Sequence, residues 1–345
     1  MADKKNIVVT GGSGFLGSFL CEKLLEAGDA HVICVDNFVT SQESNIDHLL
    51  KNADFEFINQ DINKTFDLDN FSELARFKVK FLGVQEIYHL ACPNSGKKFE
   101  SIKMETLLTN STGMKNILDM AVKYKAKMLH TSSVVVYGPR PVDNAPYTET
   151  DFGSVDAVSP RSCYDEGKRF TETMCATYAD VHALDIKIAR ISRTYGPRLA
   201  LFDGQMIPDF ITNALDNKDL VIYGDETFST SLIYVADIID GIMKLMKAPR
   251  DIGPVNFGSD IDVPLVDVAR RVIEMTGSTS HITFQEPLLF ITQLGLLDIT
   301  KAREKLNWLP LVRLDEGLKR SIDYTIANKT LLGFNFGDLK GRLGA

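Results

Sequence analysis

The segment NIVVTGGSGFLGSFLCEKLLEAG, residues 6 to 28, constrains the fold more than any other part of this 345-residue chain. An apolar, β-branched run reads as a buried strand, and the amphipathic stretch after it reads as a helix. Between them Gly11, Gly14 and Gly17 are spaced GxxGxxG. Gly11 permits a tight turn, Gly14 lets the backbone approach a pyrophosphate, and Gly17 lets the helix pack closely on the strand; the helix N-terminus attracts the phosphates. The next strand-like run, HVICVDN, ends in Asp36, 19 residues after Gly17, where a carboxylate can accept both hydroxyls of an adenosine ribose. The same carboxylate repels a 2′-phosphate, so NAD is favoured over NADP. Asp61, in NQDI, is a candidate neighbour of the adenine.

Strand-like runs alternate with amphipathic or turn-rich segments through the first half: NIVVT, HVICV, FEFIN, EIYHLA, KMLHTSSVVVY and DIKIARI. That rhythm predicts βαβ units in a parallel sheet. Phe99 to Lys123 reads as one long helix with a break near Gly113, carrying apolar residues at Ile102, Leu107, Met114, Ile117, Leu118 and Ala121. A second helix is expected from Tyr164 to Tyr178. After YGPR at Tyr195 to Arg198, short strands (LVIYG, SLIYV, PVNFG) mix with helices at Met206 to Leu215, Ala236 to Met246, Leu265 to Met275 and Leu314 to Ala327. The expected fold class is α/β, a Rossmann-type doubly wound parallel sheet with a smaller, sequence-interleaved α/β substrate domain. Residues 1–195 would form the NAD-binding part, with 231–258 returning to it; 196–230 and 259–330 would form the substrate part, and 331–345 a tail.

The charge of -8, from 46 acidic against 38 basic residues, disfavours nonspecific attraction to nucleic acid or an anionic membrane, while leaving room for local clusters that bind anionic substrates. Five cysteines without a CxxC pair suggest neither a metal site nor a disulfide framework, and a reducing cytoplasmic location is expected. No metal is expected.

In SPRSCYDEGKRFTETM, Tyr164 and Lys168 stand four apart, on one face of a helix. A tyrosine with a pKa near 10 is a poor base at neutral pH, but an adjacent ammonium and a positive nicotinamide ring both favour its phenolate. Such a group can take a proton from an alcohol while hydride leaves. The hydroxyls of TSSVVVYG, at the end of a preceding strand, would bring Ser133 or Ser132 to the carboxyl edge of the sheet beside the cofactor.

Together VTGGSGFLG, VDNF, HLA, TSSVVVYG, SPRSCYDEGKR, ARISRTYGPR, DLVIYGD and YVADIIDG resemble the extended short-chain dehydrogenase/reductase superfamily, in the branch that remodels nucleotide sugars. CYDEGKRFTETM, NFGSD, DITKAREKLNWLP and LDEGL are most similar to UDP-glucuronate decarboxylases. The resemblance implies a tightly held NAD that oxidises C4 of a sugar, a reaction of the 4-keto intermediate, and return of the hydride. It implies Ser133 as catalytic hydroxyl, Tyr164 as base and Lys168 as the residue that tunes Tyr164 and holds the nicotinamide ribose. The cofactor would also lie against Phe15, Leu16, Asn37, Ile62, Leu90, Ala91 and Ser132. The substrate would meet Pro93, Asn94, Ser133, Val134, Val135 and Arg193, with Gln205, Met206 and Tyr223 in the segments that enclose the nucleotide base. A homodimer through the helices of 99–123 and 164–178 is likewise inherited from the resemblance.

Several positions depart from that pattern. Decarboxylases of the family carry a run like TSEVYG and 4,6-dehydratases one like TDEVYG; Val135 stands at the glutamate and Val134 at the polar residue before it. A dehydratase needs an acid and a base there, which valine cannot supply. C4 epimerases need only the oxidising set, and decarboxylation of a β-keto acid can follow once the ketone forms, so both outcomes stay open. The Asn of FN.YG reads as Arg193, the Arg of QTR.F as Thr230, and the Arg of the Arg-x-Pro-Asp stretch falls at Leu294 or Gly295. One reading is a replacement charge arrangement in which Arg193, helped by Lys97 and Lys98, holds a diphosphate or carboxylate. The other is a different substrate class, an NAD-dependent dehydrogenase or reductase on a non-nucleotide anionic alcohol. A non-catalytic NAD-binding regulator would have no use for Ser133, Tyr164 and Lys168 together.

Overall fold

A computed structural model describes residues 4–201, 203–287 and 293–336. The predicted strands form as Lys5–Thr10 (β1), Ala30–Asp36 (β2), Phe55–Asn59 (β3), Glu86–His89 (β4), Lys127–Ser133 (β5) and Ile186–Ile191 (β6). With the strand Val255–Phe257 they make one seven-stranded sheet, ordered Val255–Phe257, β6, β5, β4, β1, β2, β3. Every pairing in it is parallel. The chain runs outward from β1 through β2 to β3, then starts again at β4 on the other side of β1. That reversal opens a crevice at the carboxyl ends of β1 and β4, where open sheets of this kind receive ligands.

Both faces of the sheet are covered, and strict alternation along the strands decides what faces each cover. Ile7, Val9, Val32 and Cys34 pack with Leu20, Cys21 and Leu24 of the helix Phe15–Ala27 and with Ile238 and Ile242 of the helix Val235–Met246. Val8, Ile33 and Val35 face the other way, onto Met114, Ile117, Leu118 and Ala121 of the helix Met114–Tyr124. Each such fully buried aliphatic side chain contributes about 1.5–3 kcal/mol.

Two segments depart from the sequence expectation in ways that shape the crevice. The strand does not continue through the valines: β5 stops at Ser133, and Val134–Tyr137 form a 3-10 turn. The Ser133 hydroxyl caps it by accepting from the Val135 N–H at 3.4 Å, a local bond that turns the chain off the ladder. The long helix of 99–123 is a 3-10 turn at Phe99–Ile102, a helix at Lys103–Leu108, a π turn at Thr109–Gly113 and the helix Met114–Tyr124. Gly113 is needed where this helix crosses the loop after β3, since a Cβ there would lie 2.7 Å from Asn63 Oδ1. Leu107, expected on the apolar face, is 44% exposed. The second helix spans Ser162–Val181, and the last helix, expected to end at Ala327, continues to Phe336. Residues 337–345 of the expected tail lie outside the described residues.

The segments between Tyr195 and the last helix add three two-stranded sheets and the helices Met206–Leu215 and Leu265–Thr276 beside the crevice. Among the described residues no helix is long and apolar enough to cross a membrane.

Candidate active site

The crevice is a cavity of about 430 Å³. Its floor is the glycine turn. Gly11 has φ +71°, and a Cβ on it would sit 2.7 Å from the Ala91 nitrogen, so only glycine lets β1 and β4 close up here. The helix Phe15–Ala27 starts at Gly14 without a side-chain cap, which leaves its first N–H groups facing the cavity as an anion cradle. Gly11, Gly14, Phe15, Leu16, Gly17, Leu90 and Ala91 all line this end.

Asp36, at the tip of β2, is 9% exposed and held by four donors. The N–H groups of Asn37 and Phe38 and the Ser41 hydroxyl donate to Oδ1 at 2.8, 3.0 and 2.8 Å, and the Ser13 N–H donates to Oδ2 at 3.1 Å. The carboxylate is thus preset, with capacity left on Oδ2 for a ribose hydroxyl. Asn37, Asp61 and Ile62 line the same end of the cavity. Asp61 accepts from the Asn63 N–H at 2.9 Å, which fixes the loop. Cradle, carboxylate and hydroxyl-binding wall match a dinucleotide in shape and charge.

At the other end the helix Ser162–Val181 brings Tyr164 and Lys168 to the end of β5. The Lys168 ammonium donates to the Thr131 carbonyl at 2.8 Å and lies 5.9 Å from the centroid of the Tyr164 ring. Ser133 and Tyr164 line the cavity together, and the Ser133 hydroxyl favours the ionised form of the phenol. Burial pushes that phenol well above its ordinary value, with the Cys92 thiol adding to the shift and Ser133 and Arg161 opposing it. Desolvation therefore outweighs the ammonium effect expected from the sequence pair, and a further positive charge beside the ring is needed to make the phenol a base at neutral pH. Behind this set, burial followed by the charge of Lys168 pushes His89 down to about 3 and His130 well below its ordinary value, so both imidazoles stay neutral.

Pro93, Asn94, Ser132, Ser133, Val134, Val135, Arg193, Gln205, Met206 and Leu294 line the cavity. Tyr223 and Thr230 are absent from its wall among the described residues. Thr230 is buried in the middle of the strand Ser229–Ser231, paired with Asp262–Pro264. Tyr223 ends a strand paired with Ile282–Gln285. Gly295 packs against the Tyr147 ring, 2.7 Å from where its Cβ would be. Lys97 and Lys98 are exposed, and their charges act on Asp203 beside them.

Arg193 donates to the Met206 sulfur at 3.4 Å. Desolvation, and then the like charge of Arg161, pulls its guanidinium down to about 10. Arg161 was not singled out from the sequence, although it precedes Tyr164 by three residues, the spacing of one helix face. It is held by a forked ion pair to Asp165, at 3.0 and 3.2 Å, and lines the cavity. Two guanidiniums on one wall favour an anionic ligand. Also unforeseen were Cys92 and Thr109 in the wall, the latter presented by the π turn. Among the described residues no group of three or more His, Cys, Asp or Glu could hold a metal ion.

Comparison with known proteins bears on the same residues. The pattern of the NAD dependent epimerase/dehydratase family matches residues 7–258. The chain is similar to UDP-glucuronic acid decarboxylase 1 of Xenopus tropicalis, 36% identical over 93% of this chain and 72% of that protein. It is also similar to UDP-glucuronic acid decarboxylase 1 of Arabidopsis thaliana, 37% identical over 92% and 68%. The structure of a UDP-glucuronic acid 4-epimerase from Bacillus cereus, in complex with UDP-glucuronic acid and NAD, superposes with a TM-score of 0.81 at 26% identity, covering 93% of this chain and 99% of that one. UDP-glucose 4-epimerase from Thermotoga maritima gives a TM-score of 0.81 at 27% identity, covering 94% and 99%. With its glycine turn, Asp36 and the Tyr164, Lys168 and Ser133 set in one crevice, the chain belongs to the NAD dependent epimerase/dehydratase family, and is an enzyme of the extended short-chain dehydrogenase/reductase type that takes NAD as its cofactor.

Proposed function

We propose that this enzyme acts on a nucleoside-diphosphate uronic acid, UDP-glucuronic acid first among candidates, by transient oxidation at C4, and ends in C4 epimerisation or decarboxylation. The observation that carries the reading is the wall after Ser133: hydroxyl and phenol are followed by Val134 and Val135, both in the cavity lining. Tyr164 takes the proton of the C4 hydroxyl, and Ser133 donates to the same oxygen. Lys168 steadies Tyr164 from its seat on Thr131. NAD, held by the glycine turn and Asp36, supplies the hydride acceptor and the positive charge that lowers the phenol's pKa. The valines offer no acid or base for eliminating a hydroxyl at C6, which disfavours 4,6-dehydration. A 4-keto uronic acid needs neither: it can be re-reduced on the opposite face, or lose carbon dioxide as a β-keto acid. Arg161 and Arg193 suit the carboxylate or the diphosphate, and the names of the relatives above point to the same substrate.

The test is proton NMR of UDP-glucuronic acid incubated with the NAD-loaded enzyme. A C4 epimer, or a pentose nucleotide with released carbon dioxide, supports the proposal; steady accumulation of free NADH refutes it. The second reading, a dehydrogenase or reductase on a non-nucleotide anionic alcohol, draws on Thr230 and Gly295 at positions where the family carries arginines. The exposed apolar residues Met104, Leu107, Leu108 and Phe170 on the helices beside the site support a homodimer. Acidic charge and cysteine usage support a cytoplasmic location.

A further inference from the structure

Tyr164, Lys168 and Glu172 follow each other at intervals of four, so they form one stripe along the helix Ser162–Val181. Each meets a different residue at the end of β5. Tyr164 lies in the cavity wall with Ser133, the Lys168 ammonium donates to the Thr131 carbonyl at 2.8 Å, and Glu172 Oε1 accepts from the Ser132 hydroxyl at 2.5 Å. Glu172 is itself fixed. Arg190 in β6 is the direct cross-strand partner of Ser132, and it forks onto the carboxylate with Nε to Oε1 at 3.0 Å and Nη2 to Oε2 at 2.7 Å. Arg190 in turn donates to the Tyr137 hydroxyl at 2.8 Å and lies over that ring, so it cannot swing away without unpacking the 3-10 turn. Both members of the ion pair are 12% exposed.

We infer that Glu172 is a positioning residue for hydride chemistry: by clasping the Ser132 hydroxyl it sets the register of the helix against β5, and with it the approach of Tyr164 to Ser133. The inference rests on the reading that Tyr164 and Ser133 carry the proton transfer. Lys168 on the Thr131 carbonyl and Thr171 on His130 tie the helix to β5 short of its tip, at 2.8 Å each. The Glu172 bond adds a hold on Ser132, the residue next to Ser133. It also separates the two serines left open by the sequence: Ser132 commits its single hydroxyl hydrogen to Glu172, and Ser133 keeps the place beside the phenol.

The experiment uses the NAD-loaded protein and needs no sugar. The ultraviolet titration of Tyr164, taken as the difference from Tyr164→Phe, reports how well Ser133 supports the phenolate. Ser132→Ala removes one hydroxyl and leaves the Glu172–Arg190 pair in place. We expect it to keep its urea midpoint, while the phenol titrates at higher pH because Ser133 no longer approaches it as closely. Glu172→Met removes the acceptor and the charge together: loss of a nearby anion alone moves the phenol to lower pH, and loss of the clasp moves it to higher pH. An upward move in both variants supports the inference. An unmoved titration in Ser132→Ala, or a downward one in Glu172→Met, overturns it. Weakened NAD binding by Ser132→Ala with an unmoved titration also overturns it, and assigns Ser132 to the cofactor. On a substrate that turns over, Ser132→Ala is expected to lower kcat about tenfold or more with KM nearly unchanged. Failure to find that substrate would count against the proposed function and leave the titration result intact.

Discussion

A methyl group added to Gly17 tests how the nucleotide end is built. Its Cβ would lie 2.1 Å from the Gly11 carbonyl oxygen and 2.7 Å from the Gly12 Cα, both backbone atoms that cannot rotate aside. Ordinary contact requires the helix Phe15–Ala27 to retreat from the turn by roughly 1 Å. Overpacking of this kind costs about 1–3 kcal/mol, but alanine also gains about 1 kcal/mol over glycine within a helix, so the net loss of stability is small. Cofactor binding is the sensitive readout, because the retreat carries the helix N-terminus off the phosphates. A displacement near 1 Å corresponds to about 100-fold in a positioned interaction, or about 2.7 kcal/mol. The control is Gly28→Ala at the other end of the same helix, where φ is +78° and no atom lies within 4 Å of the new Cβ. It meets only left-handed backbone strain of about 1–2 kcal/mol. Calorimetric titration with NAD, beside urea unfolding, separates the two. Gly17→Ala binding NAD within about threefold of wild type, or Gly28→Ala weakening it as much, would refute the close-approach reasoning.

Asp36→Ala is expected to weaken NAD about 10- to 100-fold and to narrow the preference over NADP, measured as the ratio of the two Kd values. Tyr164→Phe should keep NAD bound and lose turnover by about 100-fold or more; activity near wild type would remove Tyr164 from proton transfer. Arg193→Met should weaken UDP-glucuronic acid about 10-fold or more while UDP-glucose changes little, if Arg193 meets the carboxylate; equal losses would assign it to the diphosphate. Burial raises Asp209 to about 6, with Lys97 opposing and Asp203 adding, and its Oδ1 has no hydrogen-bond partner. Between about pH 4 and 6 the folded state holds the extra proton, so this residue's contribution to stability falls as pH rises through that window. Asp209→Asn should therefore be more stable than wild type by about 3 kcal/mol at pH 7 and equal to it below about pH 4, in urea melts across that range.

What could be read early follows from how far each interaction reaches along the chain. The strand, turn and helix around Gly11 are local, and so is the helical spacing of Tyr164 and Lys168. The valines misled because an apolar run looks alike in a strand and in a buried 3-10 turn; the capping bond from Ser133 that chooses between them has no periodic signature. Arg161 and Glu172 had the same stripe spacing as Tyr164, yet many helices place an arginine or glutamate so, and only their partners give them meaning. Those partners, Ser132 and Arg190, sit 40 and 18 residues from Glu172.

By itself the sequence determined the parallel sheet, the dinucleotide turn with its acidic partner, and the tyrosine and lysine of the site, because short-range sterics and periodicity dictate each of them. Tertiary structure alone decided which polar groups share the cavity. It moved Thr230 and Tyr223 out of the wall, brought Arg161 beside Arg193, and closed Glu172 onto Ser132. Such contacts depend on how the strand ends register across the sheet and how the helix lies over them, and those are properties of packing between distant segments.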